Sequence, residues 1–336
     1  MSGEKMRIAV DGVGGDRAPG EVIKASVDAC KKYDTEIILL GPKELLEREM
    51  LNYGDVSNIS IENASQIVSM DEKPTNVLHD FKDSAFFKGA ELVKEGKADA
   101  FVSAGNTGAM LAVSTFVIGR IKGVERPAIA TVVPSIKGDV IIIDAGANVT
   151  CKPSHLLQFA LMGKIYAKNI LSIEKPGIGL LSNGEEREKG TSLVKEAYTM
   201  ISEKMPDDFY GNVEGRDIGI GTVDVVVTDG FSGNVVLKTM EGTAKLFNST
   251  LKKTVMDSSF TTKIGALLMR KVFAELKKRF DYREYGGSFL VGVNGISVIA
   301  HGSSDALAIR NAIRIAMRGV EMDLVGKIKE GLEKEK

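Results

Sequence analysis

The 336-residue chain offers little to a metal, a disulfide or a polyanion. Its two cysteines, Cys30 and Cys151, make no disulfide framework and no CxxC pair. Its three histidines, His79, His155 and His301, fall at no zinc-type spacing. Forty-four Lys and Arg against forty-five Asp and Glu leave a net charge of −1, which argues against general nucleic-acid binding. No apolar run approaches the roughly 18 residues that span a bilayer. The first residues, Met1 to Lys5, are polar and lead straight into a strand-like segment, so no signal peptide is read. Familiar phosphate signatures are missing as well. The run Gly12-x-Gly14-Gly15 does not complete GxGxxG, and between Gly184 and Gly190 the lysine of a P-loop comes one place early. What remains, at 43% hydrophobic and 26% charged residues, is the composition of a soluble globular protein of a reducing compartment.

Short β-branched runs alternate with helical patterns along the chain. Arg7–Val10, Glu36–Leu40, Ala100–Ser103, Ala128–Val133, Val140–Ile143, Gly177–Leu181, Asp224–Thr228 and Ile296–Ala300 read as strands, nearly all apolar, as strands covered on both faces should be. Between them Gly20–Tyr33, Ser84–Glu95, Thr107–Gly119, Pro153–Lys168 and Thr191–Lys204 read as helices. The alternation predicts βαβ units and a three-layer α/β/α domain with a mostly parallel sheet. No repeat or linker divides it, and residues 1–336 are read as one domain. From about Gly233 to Phe280 there is no strand signal, only two long helical patterns joined near Asp257–Thr262. Between Leu251 and Arg283 lie nine basic residues (Lys252, Lys253, Lys263, Arg270, Lys271, Lys277, Lys278, Arg279, Arg283). Three acids, Asp257, Glu275 and Asp281, leave the segment at +6. Phe260, Ile264, Leu267, Leu268, Met269, Val272, Phe273 and Leu276 recur at helical spacing. Two readings stand: a basic amphipathic hairpin over residues 245–283 for an anionic membrane or an acidic partner, or a helix packed on the core with a solvated basic face.

In open parallel sheets, ligands bind beyond the carboxyl ends of strands. Polar glycine-rich loops recur there: Asp11-Gly-Val-Gly-Gly-Asp16, Ala104-Gly-Asn-Thr-Gly108, Asp144-Ala-Gly-Ala-Asn148, Asp229-Gly-Phe-Ser-Gly-Asn234 and His301-Gly-Ser-Ser-Asp305. Each singly is what turns and N-caps use; five together point to an anion site at the sheet edge. Gly105, Asn106, Thr107 and Gly108 open a helix and form a candidate phosphate cradle. Ser232 reads as a nucleophile, a cap or a phosphate donor, since the turn lacks GxSxG spacing. His301 reads equally as a general acid or oxyanion donor and as a histidine bonded to a neighbouring loop. His155 and Cys151 read as structural.

These loops occur in a familiar order, with Cys151-Lys-Pro-x-His155, Gly184-Glu-Glu, Lys189-Gly190, Gly211-Asn-Val-Glu-Gly-Arg-Asp217, Val235-Val-Leu-Lys238 and Glu284-Tyr-Gly-Gly287 between and after them. The set closely resembles the bacterial acyl-[acyl-carrier-protein]:phosphate acyltransferases of phospholipid synthesis, from about Met6 to Gly319. The resemblance implies transfer of a fatty acyl group from acyl carrier protein to inorganic phosphate, giving acyl phosphate for a membrane glycerol-3-phosphate acyltransferase. It implies a fold like that of phosphotransacetylases and the isocitrate/isopropylmalate dehydrogenases, a homodimer, no metal or cofactor, and peripheral contact with the inner face of the cell membrane from the cytoplasm. Thioester chemistry with phosphate as nucleophile then assigns His301, Lys189, Asn234 and Asp229 to catalysis. Gly105, Asn106, Thr107, Gly108, Ser232, Arg216 and Lys238 are assigned to phosphate. Phe260, Lys263, Ile264, Leu267, Leu268, Arg270 and Lys271 become the membrane or carrier contact. One stretch departs from similar proteins: Thr75-Asn-Val-Leu-His-Asp-Phe-Lys-Asp83 replaces a denser basic run, so no binding role passes to His79 or Asp80. The rival readings are phosphate transfer to a coenzyme A thioester, a metal-dependent hydroxyacid dehydrogenase and a non-catalytic membrane scaffold.

Overall fold

The computed structural model describes residues 5–54 and 56–334. The apolar runs become strands of one sheet: β1 (Met6–Asp11), β2 (Thr35–Gly41), β3 (Ile59–Asn63), β4 (Ala100–Ser103), β5 (Ala128–Pro134), β6 (Asp139–Ile143), β7 (Ile178–Leu181), β8 (Phe209–Val213), β9 (Val225–Val227), β10 (Ser288–Val291) and β11 (Ile296–Ile299). Their order is β3-β2-β1-β4-β11-β10-β5-β6-β9-β7-β8. The expected strands are all present. The runs that were not expected, β3, β8 and β10, carry the weakest patterns. β3 and β8 are the two sheet edges, where polar residues interleave, and β10 is four residues set between glycines.

Seven of the ten pairings are parallel, and three adjacent ones, β11–β10, β10–β5 and β5–β6, are antiparallel. Three successive reversals leave β6, β9, β7 and β8 running opposite to β1, β2, β3, β4 and β11. The carboxyl ends of the two strand sets therefore leave opposite edges of the sheet. This corrects the expectation that all five polar loops share one edge.

Helices cover both faces, which is why the strands are apolar on both. On one face Val22 and Ile23 of helix Gly20–Lys32, Phe159 and Tyr166 of Pro153–Ile170, and Ile309 and Ile313 of Ala306–Glu321 are buried. Tyr166 meets Phe289 of β10 edge-on, with ring centroids 5.3 Å apart. On the other face Phe86 of helix Ala85–Lys94 packs edge-on against Phe101 of β4, and Met110 and Val113 of helix Thr107–Val113 close over the same region. The helix expected over 107–119 widens into a π-helical turn from Ser114 to Gly119.

The strandless region forms three helices rather than two: Gly230–Asp257, Phe260–Leu268 and Arg270–Arg279. The first has 28 residues, about 42 Å at 1.5 Å per residue. Only Gly230 and Gly233 in it are buried, and Val236, Leu237 and Met240 rest partly on the core. Beyond them the hairpin runs clear of the core. No residue of its last two helices is buried, and Phe260, Leu267 and Leu268 are 77%, 63% and 81% exposed. Most of the apolar residues that the sequence places at helical spacing here lie exposed in this chain rather than against its core. Among the described residues no helix is long and apolar enough to cross a membrane.

Candidate active site

At the edge where β1, β4 and β11 end, three turns close on one another. Asp11, the last residue of β1, is buried and accepts from the Ser103 hydroxyl at 2.7 Å and from the Val13 N–H at 3.2 Å. Burial pushes its carboxyl up, against the pull of these donors. Gly14 lies against it so closely that a Cβ there would stand 2.2 Å from the carboxylate and 2.9 Å from the Gly105 nitrogen. Gly15, at φ +99°, fits between the carbonyls of Gly302 and Ala104, and the Asp16 N–H donates to Gly302 at 2.8 Å. The 104–108 and 301–305 turns are thus held side by side.

The cradle residues divide their work differently from expectation. The Asn106 Oδ1 caps the Ala109 N–H at 3.0 Å, and its Nδ2 donates to the carbonyls of Ser69, Met70 and Glu72 at 3.3, 3.0 and 2.9 Å. Its amide is therefore committed to protein, and the Gly105 N–H is committed to the Ser103 hydroxyl at 3.0 Å. Thr107 and Gly108, at the first helical positions, are where the cradle offers N–H groups outward. His301 is exposed, and its Nδ1 accepts from the Ser303 N–H at 3.2 Å and lies 2.9 Å from the Ser303 hydroxyl. An acceptor Nδ1 puts the proton of the neutral ring on Nε2.

At the opposite edge Asp144 follows β6 and is fully buried. Its carboxylate collects five N–H donors: Ile129 at 3.0 Å, Gly146 at 3.1 Å, Ala147 at 2.9 Å, Asn148 at 2.7 Å and the Asn148 amide at 2.9 Å. Burial pushes this carboxyl up and the donors pull it back. The 229–234 turn after β9 presses onto it, since a Cβ at Gly233 would sit 2.0 Å from the Asp144 carbonyl oxygen. Asp229 caps the long helix through the Ser232 N–H at 2.9 Å and accepts the Ser232 hydroxyl at 2.8 Å. Asn234 borders Gly146. Behind this turn Cys151 is half-buried, and burial pushes its thiol up to about 11. His155 accepts the Lys152 N–H at Nδ1 (3.1 Å) and faces Glu125 from Nε2 at 3.2 Å; burial holds its protonation down.

On that same edge, beyond β7 and β8, lie Lys189 and Arg216. Arg216 pairs with Glu214 and, at 3.3 Å, with Glu185. Oxygens of Glu185, Glu214 and Asp217 come within 4.8 Å of one another, and the guanidinium charge is taken up by the first two of these carboxylates. Lys238 lies farther along the long helix and pairs with Glu241 at 2.8 Å. Among the described residues no ion pair holds Lys189. The structure therefore brings Gly105, Thr107 and Gly108 together with His301, and separately groups Asp229, Ser232 and Asn234, with Lys189 and Arg216 on the same edge. It does not join the two groups within one chain.

Residues 6–327 match the family model described as "Fatty acid synthesis protein". The chain is 51% identical to a phosphate acyltransferase of Pseudothermotoga lettingae, over 96% of this chain and 95% of that protein. It is 50% identical to one of Thermotoga neapolitana, over 97% of each. Among solved structures, a phosphotransacetylase from Streptococcus pyogenes superposes with a TM-score of 0.65 at 18% identity, covering 95% of each chain. A branched-chain phosphotransacylase from Enterococcus faecalis does so with a TM-score of 0.58 at 15% identity, covering 94% of this chain and 99% of that one. These two show the fold; with near-complete coverage at half identity, the sequence relatives show more, and the chain belongs to the phosphate acyltransferase family of fatty acid and phospholipid synthesis.

Proposed function

We propose that the chain transfers a fatty acyl group from the thioester of acyl carrier protein to inorganic phosphate, reversibly, and that the acyl phosphate is used in glycerol-3-phosphate acylation by a membrane acyltransferase. The observation that carries this reading is the state of the chain's own nucleophiles. Cys30 and Cys151 are both pushed up to about 11 by burial, and the Ser232 hydroxyl is given to the Asp229 carboxylate. Phosphate is already anionic at neutral pH, and needs only to be held against the thioester carbonyl. One phosphate oxygen attacks the carbonyl carbon, the tetrahedral oxyanion collapses, the C–S bond breaks, and the carrier thiolate takes up a proton.

In this reading the Thr107 and Gly108 N–H groups hold phosphate, and the His301 Nε2–H serves the oxyanion or the leaving thiolate. Lys189 supplies the cation, and Asn234 and Ser232 further polar contacts, with Asp229 holding their turn in place. Arg216 and Lys238, whose charges are answered by carboxylates, take second place. Since the two groups leave opposite edges, a reaction that uses both needs two copies of the chain. A two-fold axis sets one edge of each protomer against the other edge of its partner, so the homodimer is part of the proposal. The hairpin, at +6 between Leu251 and Arg283 and with exposed Phe260, Ile264, Leu267 and Leu268 beside Lys263, Arg270 and Lys271, is assigned to the cytoplasmic membrane surface and the acidic carrier.

The test is hydroxylamine trapping of acyl phosphate from palmitoyl-acyl carrier protein and phosphate, with palmitoyl-CoA in parallel. Phosphate-dependent product from the carrier thioester is expected. Product from the CoA thioester alone would move the donor to coenzyme A, and no product from either would remove the catalytic assignments.

A further inference from the structure

The root of the helical hairpin and the His301 turn share one ion-pair network. Arg283 lies four residues past Arg279, the last residue of the last hairpin helix. Its Nε donates to both oxygens of Asp281, at 2.8 and 2.9 Å, and its Nη1 donates to Asp305 at 2.7 Å. Asp305 closes the 301–305 turn and caps the following helix through the Ala308 N–H at 3.1 Å. Inside that turn the Ser304 N–H donates to the His301 carbonyl at 2.9 Å, and Ser303 holds the imidazole.

The return arm has little freedom around this point. Arg279 donates to the carbonyls of Ser135 and Ile136 at 2.7 and 3.1 Å, and the Asn311 amide donates to the Arg283 carbonyl at 2.8 Å. Gly286 and Gly287, at φ +81° and +117°, press so closely on Asn311 and Ile299 that a Cβ would stand 2.4 and 2.6 Å from their backbone. The guanidinium side chain is 31% exposed, and its two carboxylate partners are 12% and 22% exposed, so the pair is partly shielded from solvent. A displacement of the hairpin's last turn reaches Asp305 through a planar fork rather than a flexible link.

We infer that Arg283 is a positioning residue that clamps the hairpin root to the 301–305 turn and so holds the His301 ring in its reactive orientation. This rests on the proposed role of His301, and the experiment separates the two. Steady-state kinetics would be run on Arg283→Gln, Arg283→Lys, His301→Ala and the Arg283→Gln/His301→Ala pair in the full chain, each checked for folding by thermal melt. In Arg283→Gln a fall in kcat of about tenfold is expected, with the phosphate KM within about twofold of the parent. Arg283→Lys should recover part of it, and Arg283→Gln should cost nothing further once His301 is alanine. An equal loss in both backgrounds, or no loss in a folded Arg283→Gln variant, overturns the inference. A second readout is the ¹⁵N spectrum of labelled histidine, in which the three rings are assigned by single substitutions. The His301 signal should show the Nε2–H tautomer in the parent and lose that pattern in Arg283→Gln, while His79 is unchanged. If His301→Ala keeps full activity while the His301 signal of the parent still changes in Arg283→Gln, the catalytic reading fails and the clamp stands. If the signal is indifferent to Arg283, the clamp fails whatever the role of His301.

Discussion

The two edges of the sheet use the same vocabulary for different ends. Each begins with a buried aspartate at the carboxyl end of a strand, crowded by glycine: Asp11 with Gly14 on one side, Asp144 with Gly233 across a neighbouring turn on the other. Asp144 gathers five N–H donors and is spent on its own loop. Asp11 gathers fewer and sits beneath the glycine turn that holds the 104–108 and 301–305 turns side by side. The difference teaches that glycine-rich loops at strand ends are not interchangeable. What decides whether such a loop can serve a ligand is how many of its donors remain after the protein has satisfied itself.

The sharpest way to break this comparison is to damage one edge in each of two chains. His301→Ala and Lys189→Ala should each lower kcat by about 10²-fold. When the two variants are co-refolded in equal amounts, about a quarter of the parent activity should return, because half the dimers then hold one intact pair of edges. A mixture no more active than its parents would show that the two edges do not meet across a dimer. The next effect is on stability. Asp144→Asn should cost about 3 kcal/mol in urea unfolding, since an amide NH₂ would face donors in a buried loop, and Asp11→Asn should cost about half of that. Equal costs would erase the distinction between the two aspartates.

A smaller loss, about 1 to 2 kcal/mol, is expected for Asn106→Ala, which removes a helix cap and a tie to the 69–72 segment. The same substitution should leave the phosphate KM within about threefold if the Asn106 amide is spent as the geometry indicates. A large KM rise in a stable Asn106→Ala variant would return that side chain to the phosphate. The smallest effect is one of pH. Burial depresses the His155 protonation from its ordinary 6.5, so the native state prefers the neutral ring. The unfolded chain gains protons first as pH falls below about 6.5, so stability contributed by the neutral ring is present above that pH and is lost as pH drops through the native value. The melting temperature should fall over that window in the parent and fall less in His155→Gln. Parallel curves would remove His155 from the acid response.

Much of the architecture was legible along the chain because each expected strand is a short apolar run between turn residues, and such runs need only local pattern. Ala100–Ser103 was located to the residue, and the break between the hairpin helices near Ser258 was as expected. The edge strands β3 and β8 were not, since half-exposed strands carry polar residues and blur the signal. The order of site loops was legible, but the use of their side chains was not. Nothing in the spacing of Asn106 shows that three carbonyls of residues 69–72 lie within its reach. Arg216 and Lys238 read as available cations until Glu214, Glu185 and Glu241 are seen beside them. The Arg283–Asp305 clamp joins residues 22 positions apart, with two strands between them, and leaves no trace in local pattern.

By itself the sequence determined the family, the layered α/β character and the basic, amphipathic composition of residues 245–283, because each of these is a matter of residue type at short range. Tertiary structure alone decided that β10 and β5 lie between β11 and β6, which reverses half the sheet and sends the polar loops to opposite edges. It also decided which donors are consumed by their neighbours. Both are properties of pairs of residues far apart in the chain, where hydrogen-bond direction and burial, rather than composition, set what a side chain is able to do.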